Sequence, residues 1–161
     1  MRAPDWLWPE IKNGLQGGAW LLLGRPAALH YLGNKTRPLW HSYVAMPLTL
    51  PLLLLLGLLH YWWPDSTVPF FTLGKLAPLY ILLVWFGFIG VMQALLPIIN
   101  RDERRREFIA AFNWAQPVGA LMLIIGSLLA IFLPSYGAAF NGLIALLYLF
   151  YMLQLFKIAL D

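Results

Sequence analysis

Between two long apolar runs the chain carries Arg101-Asp102-Glu103-Arg104-Arg105-Arg106-Glu107, its most polar stretch, and a few residues later Phe112-Asn113-Trp114-Ala115-Gln116-Pro117. Each arginine placed at the centre of a bilayer costs about 2.5–3.5 kcal/mol even on the mildest scale, so four of them hold this knuckle on one side of a membrane. Every other segment's orientation then follows by counting crossings. No other feature restricts the possible folds as strongly.

Composition says what solvent the apolar runs require. Of 161 residues, 61% are hydrophobic and 11% charged, against roughly 25% charged in soluble domains, and the mean hydropathy is +0.71. A chain of this length suffices for four membrane helices of about 20 residues each plus their connections. The eleven basic and seven acidic residues leave a net charge of +4. The basic ones gather ahead of the first span and in the knuckle, which is topogenic charge and not a nucleic-acid face. With no cysteine, disulfides, thiolate nucleophiles and zinc-thiolate sites are excluded. Residues 1–13 are polar and aromatic and the apolar run 19–23 is short, so no secretory leader is expected.

The expected fold is all-α, an integral membrane four-helix bundle with an N-terminal interfacial amphipathic helix. Residues 1–36 form the interfacial, cytoplasmic segment, and residues 37–161 a domain with spans of about 39–61, 76–96, 108–133 and 137–156. In the first segment Pro9 can start a helix that puts Ile11, Leu15 and Leu22 on one stripe, with Trp6, Trp8 and Trp20 flanking it. Gly14, Gly17 and Gly18 oppose it, at about 1 kcal/mol each relative to alanine. Arg25-Pro26 restarts the chain and Gly33-Asn34 can stop the next short helix. In the first span Pro47 and Pro51 predict a kink, and Trp62-Trp63-Pro64 an aromatic belt at its far end. Gly87 and Gly90 in the second span permit close approach of a neighbour. The third span, at about 39 Å, exceeds a hydrocarbon core of about 30 Å and must tilt, bend or protrude. Pro134-Ser135-Tyr136-Gly137 reverses the chain into the fourth, where Ala138, Gly142 and Ala145 make a small-residue groove suited to helix packing.

Arg2, Lys12, Arg25, Lys35 and Arg37 precede the first span, the knuckle arginines follow the second and Lys157 follows the fourth, while the opposite side has only Lys75. Both termini are therefore expected in the cytoplasm.

Asn113 and Gln116 share a helix face, and Pro117 strips the Asn113 carbonyl of its amide partner. Beside Trp114 this makes a polar notch, open to two readings: hydrogen bonding between helices, or a site for a lipid headgroup, ion or polar substrate. Arg101, Arg104, Arg105 and Arg106 could meet anionic headgroups at the cytoplasmic face, although the three interleaved acids leave a local excess of one positive charge. No acid or base falls in the central part of any span, which argues against a proton-coupled transporter. A passive pore lined by Gln93, Asn113 and Asn141 stays open. His30 and His41 alone do not compose a metal site, and no catalytic motif or cofactor signature is present.

Two local patterns resemble known groups. Leu22-Leu23-Gly24-Arg25-Pro26-Ala27-Ala28-Leu29 is similar to the start of bacterial Yip-domain membrane proteins, whose eukaryotic relatives act in vesicle trafficking through Rab GTPases, although that domain usually has five spans and four are counted here. Leu39-Trp40-His41-Ser42-Tyr43 and Phe112-Asn113-Trp114 after a basic loop resemble small uncharacterised multi-span proteins of alphaproteobacteria. These resemblances imply a bacterial inner-membrane protein and carry over no catalytic residue. The expected function is that of a nonenzymatic scaffold or accessory subunit, working as a homo-oligomer or within a larger membrane assembly; the alternative is a small homo-oligomeric channel or carrier.

Overall fold

A computed structural model describes residues 4–32, 38–61 and 70–160, and every element among them is helical. The helices are α1 (Leu7–Leu22), α2 (Ala28–Leu32), α3 (Ala45–Tyr61), α4 (Phe70–Ile98), α5 (Arg105–Phe132) and α6 (Gly137–Leu160), with 3-10 turns at Leu39–Val44, Asp102–Arg104 and Pro134–Tyr136. The Gly33-Asn34 stop and the aromatic belt at 62–64 lie outside the described residues.

Two helices end in the same way. After α1, Gly24 takes φ +65°, the Arg25 amide donates to the Trp20 carbonyl at 3.0 Å and that of Gly24 to Leu21 at 2.9 Å. After α4, Asn100 takes φ 57°, with Arg101 donating to Leu96 at 2.8 Å and Asn100 to Pro97 at 3.1 Å. This is the Schellman arrangement, in which a left-handed residue satisfies carbonyls that the last helical turn leaves open. The second of these stops turns the chain into the knuckle.

Helix α5 is the hub. Every residue from 107 through 115 is buried, which over more than two turns requires protein on all sides. Helices α1, α2, α3, α4 and α6 and the 3-10 turn Leu39–Val44 supply it. At the knuckle end Phe88 of α4 stacks on Phe112 with ring centroids 4.5 Å apart, and Phe108 meets Phe156 of α6 at 5.6 Å. Beyond Gln116 the burial narrows to one face, and Leu121, Ile125, Leu128 and Phe132 point outward, Phe132 being 77% exposed. Among the described residues three stretches are long and apolar enough to cross a membrane: Leu39–Leu59, Asp102–Phe132 and Pro134–Leu160. The apolar stretch Trp85–Ile98 of α4 is shorter than that.

Several details differ from the sequence-based expectations. Helix α3 begins at Ala45, so Pro47 falls in its first turn, where an amide has no helical partner in any case, and only Pro51 is interior. Helix α5 starts inside the knuckle, three residues before the expected position. Helix α1 is present; the side it buries is Glu10, Gly14, Gly17, Gly18 and Leu21, and of the expected stripe Leu15 is exposed while Ile11 and Leu22 pack partly against the core. The glycines that seemed to oppose a helix are its seat. A Cβ on Gly14 would run into the Trp114 indole, one on Gly17 into Leu32, and one on Gly18 into Val118. Between α5 and α6 the close-approach glycines are Gly119, against Tyr148, and Gly126, against Ile144, both on α5. These pairs run in opposite senses, so α5 and α6 are antiparallel.

Candidate functional site: the hydrogen-bonded hub around Asn113

Asn113 is fully enclosed, and both ends of its amide are engaged. The Trp85 indole N–H of α4 donates to Asn113 Oδ1 at 2.8 Å. Asn113 Nδ2 donates to Ser42 Oγ at 2.9 Å, and Ser42 in turn donates to the Leu39 carbonyl at 2.8 Å. An indole only donates, so the amide oxygen must face Trp85, which leaves the nitrogen for the serine. One side chain thus joins α4, α5 and the turn that leads into α3. Trp85 and Ser42 are themselves buried, so neither can exchange this partner for water.

The other residues of the expected notch go elsewhere. Gln116 is half-buried and donates to the Phe112 carbonyl at 3.4 Å, which keeps it from the Asn113 chain of bonds. Pro117 is buried and leaves the Asn113 carbonyl without its helical donor. Trp114, on the next face, seats α1: its indole N–H donates to Glu10 Oε1 at 3.3 Å, and its ring lies where Gly14 lacks a side chain. A second tie comes from α6, where the Tyr151 hydroxyl donates to the Gly18 carbonyl at 3.2 Å.

Above this hub a cavity of about 20 Å³ is lined by residues including Glu10, Tyr31, Ser42 and Arg106, room for about one water molecule. It brings α1, α2 and the knuckle together at one end of the molecule. Within the knuckle Arg105 pairs with Asp102, and Arg104 with Glu107 at 3.1 Å. Glu107 lies in the first turn of α5, where the helix dipole favours an anion. Arg101 is exposed and Arg106 half-buried. Both ion pairs span three residues and are partly open, so each contributes no more than about 1 kcal/mol.

Of the residues of the conceived pore, Asn113 is enclosed, Gln93 is exposed, and the Asn141 side chain lies outside the described residues. Ala138, Gly142 and Ala145 are exposed on α6, and Cβ atoms built on Gly142, Gly87 or Gly90 would meet nothing within 4 Å. The close approach of α5 and α6 within the chain is made instead at Gly119 and Gly126.

Glu10, Ser42 and Trp85 were not singled out by their sequence. Glu10 has a signal in retrospect, since positions 10, 14, 17, 18 and 21 fall on one helical face. Ser42 and Trp85 have none, because their meeting with Asn113 joins positions 71 and 28 residues apart.

The fold and the hub define a class: a chain whose described residues form helices only, three of them long and apolar enough to cross a membrane, held by a buried polar cluster. Compared with protein families, with characterised proteins and with solved structures, the chain matches none.

Proposed function

We propose that this chain is a nonenzymatic, multi-span protein of a bacterial inner membrane, a four-span bundle that serves as scaffold or accessory subunit of a membrane assembly. The observation that carries the reading is the division of labour among its polar and small residues. The buried amide at Asn113 is used on both sides for holding helices together, while Ala138, Gly142 and Ala145 of α6 and Gly87 and Gly90 of α4 stay uncovered. Small residues let backbones approach closely, and in lipid such packing drives association. Both termini and the knuckle lie on the cytoplasmic side in this reading, with Arg101 and Arg106 near anionic headgroups.

Because the chain has no cysteine, single replacements at Ala138, Gly142 and Ala145 give a clean test. Oxidation in native membranes should cross-link α6 to a second copy or to a co-purifying subunit, and Gly142→Leu should abolish the product. A chain that stays monomeric at all three positions, with nothing co-purifying in mild detergent, would sink the proposal. A channel or carrier is the alternative. In that reading the pore lies between copies, along the uncovered face of α6, and flux in proteoliposomes abolished by Gly142→Leu would favour it.

A further inference from the structure

Helix α1 carries large apolar residues on its outer face as well as toward the core, where Ile11, Trp20, Leu21 and Leu22 pack. Its uncovered stripe runs Trp8, Lys12, Leu15, Ala19, Leu23, with Trp8 72%, Leu15 36% and Leu23 65% exposed. Its buried positions are three glycines, a glutamate and Leu21. A helix capping a protein in water presents the reverse pattern.

The depth of this helix follows from the α5–α6 hairpin. Placing the far hydrocarbon edge at the Pro134–Tyr136 turn and allowing about 20 residues for a core of about 30 Å puts the near edge at about residue 112 of α5 and about residue 157 of α6. Lys157 stands at that level. On α5, α1 rests against Trp114 and Val118, about 3–9 Å inside this edge at about 1.5 Å per residue. On α6, Gly18 and Gly24 rest against Tyr151 and Gln154, about 5–9 Å inside by the same rise. Two helices running in opposite directions give one answer, and it is the depth at which half-buried amphipathic helices lie. At its end the stripe meets the outward face of α6, where Leu153, next to Gln154, is 58% exposed.

We propose that α1 is sunk into the leaflet on the knuckle side, with Trp8, Leu15, Ala19 and Leu23 against phospholipid acyl chains and Lys12 and Arg25 reaching the phosphates. The partner is the bilayer itself. Arg25 is suited to this: it is exposed, follows the Gly24 turn, and holds its guanidinium over the Trp20 ring at 4.4 Å, a geometry in which an interfacial indole supports a cation. The proposal rests on the reading that α3, α5 and α6 cross the membrane, and the test separates the two.

Nitroxide labels are attached to Leu15→Cys, Ala19→Cys, Leu149→Cys and Arg101→Cys, one per full-length protein, reconstituted in vesicles of phosphatidylethanolamine and phosphatidylglycerol. The oxygen-to-nickel accessibility ratio at 15 and 19 should exceed that at 101 several-fold and approach that at 149 on the outward face of α6. Leu23→Cys supplies an independent reading if either α1 label impairs folding. Ratios at 15, 19 and 23 equal to that at 101, with 149 still in lipid, would overturn this inference alone. An aqueous ratio at 149 as well would remove the spanning reading and this one with it.

Discussion

Asn113 shows how much one amide can hold. Asn113→Leu removes the acceptor of Trp85 and the donor to Ser42. Interhelical hydrogen bonds in membrane proteins average about 0.6 kcal/mol, but a buried donor left unsatisfied costs about 1–3 kcal/mol. Protein encloses α5 on all sides at this level, so the larger figure governs. Unfolding titrations in detergent should show a loss of about 1–3 kcal/mol for Asn113→Leu, which strands the Trp85 indole N–H, and a similar loss for Ser42→Ala, which keeps the Trp85 bond but leaves Asn113 Nδ2 buried without its acceptor. Equal, negligible losses would mean that the network adds no stability. Trp114→Ala empties the seat of α1 and should cost about 3–5 kcal/mol in the same assay. The amide pair at 113 and 116 was legible as polar residues on one face, but not their separate fates. Their partners lie on other elements, and no local pattern encodes a contact between positions 42 and 113.

At the level of elements, glycine has two meanings in this chain. Gly14→Ala gains about 1 kcal/mol of helix propensity but forces a methyl into an indole that is buried and tied to Glu10, and overpacking costs about 1–3 kcal/mol. The net loss should free α1 and appear as faster proteolysis within 7–22. Gly87→Ala meets nothing and should be neutral or slightly stabilising for the isolated chain; a marked loss there would show that α4 already has a covering neighbour. Three of the four expected spans, those around 39–61, 108–133 and 137–156, have counterparts among the described helices long and apolar enough to cross a membrane, and they were readable because hydrocarbon thickness sets their length and Pro134-Ser135-Tyr136 marks the reversal. The start of α3 was less so, because a 3-10 turn precedes it and places Pro47 in the first helical turn. The side by which α1 meets the protein left little trace in the sequence, because hydrophobic periodicity looks for large side chains and three of the five buried positions are glycine.

At the scale of the whole molecule, the described residues gather more densely at one end of α5 than at the other. Helices α1 and α2 and the turn Leu39–Val44 gather around α5 near the knuckle, while its far half has burial on one face. Charge counting placed the N-terminal segment and the knuckle on the same side, and Glu10, Tyr31 and Arg106 line one cavity. The bond between Glu10 and Trp114 joins residues 104 apart. At about 5–20 residues per second, a ribosome that has just made Glu10 needs roughly 5–20 s more to make its partner. During that interval α1 has no indole to rest on and three glycines that discourage it from coiling alone. The first helix to be synthesised is therefore among the last to lock, and nascent chains arrested before Trp114 emerges should be cut by protease within 7–22, whereas completed ones resist.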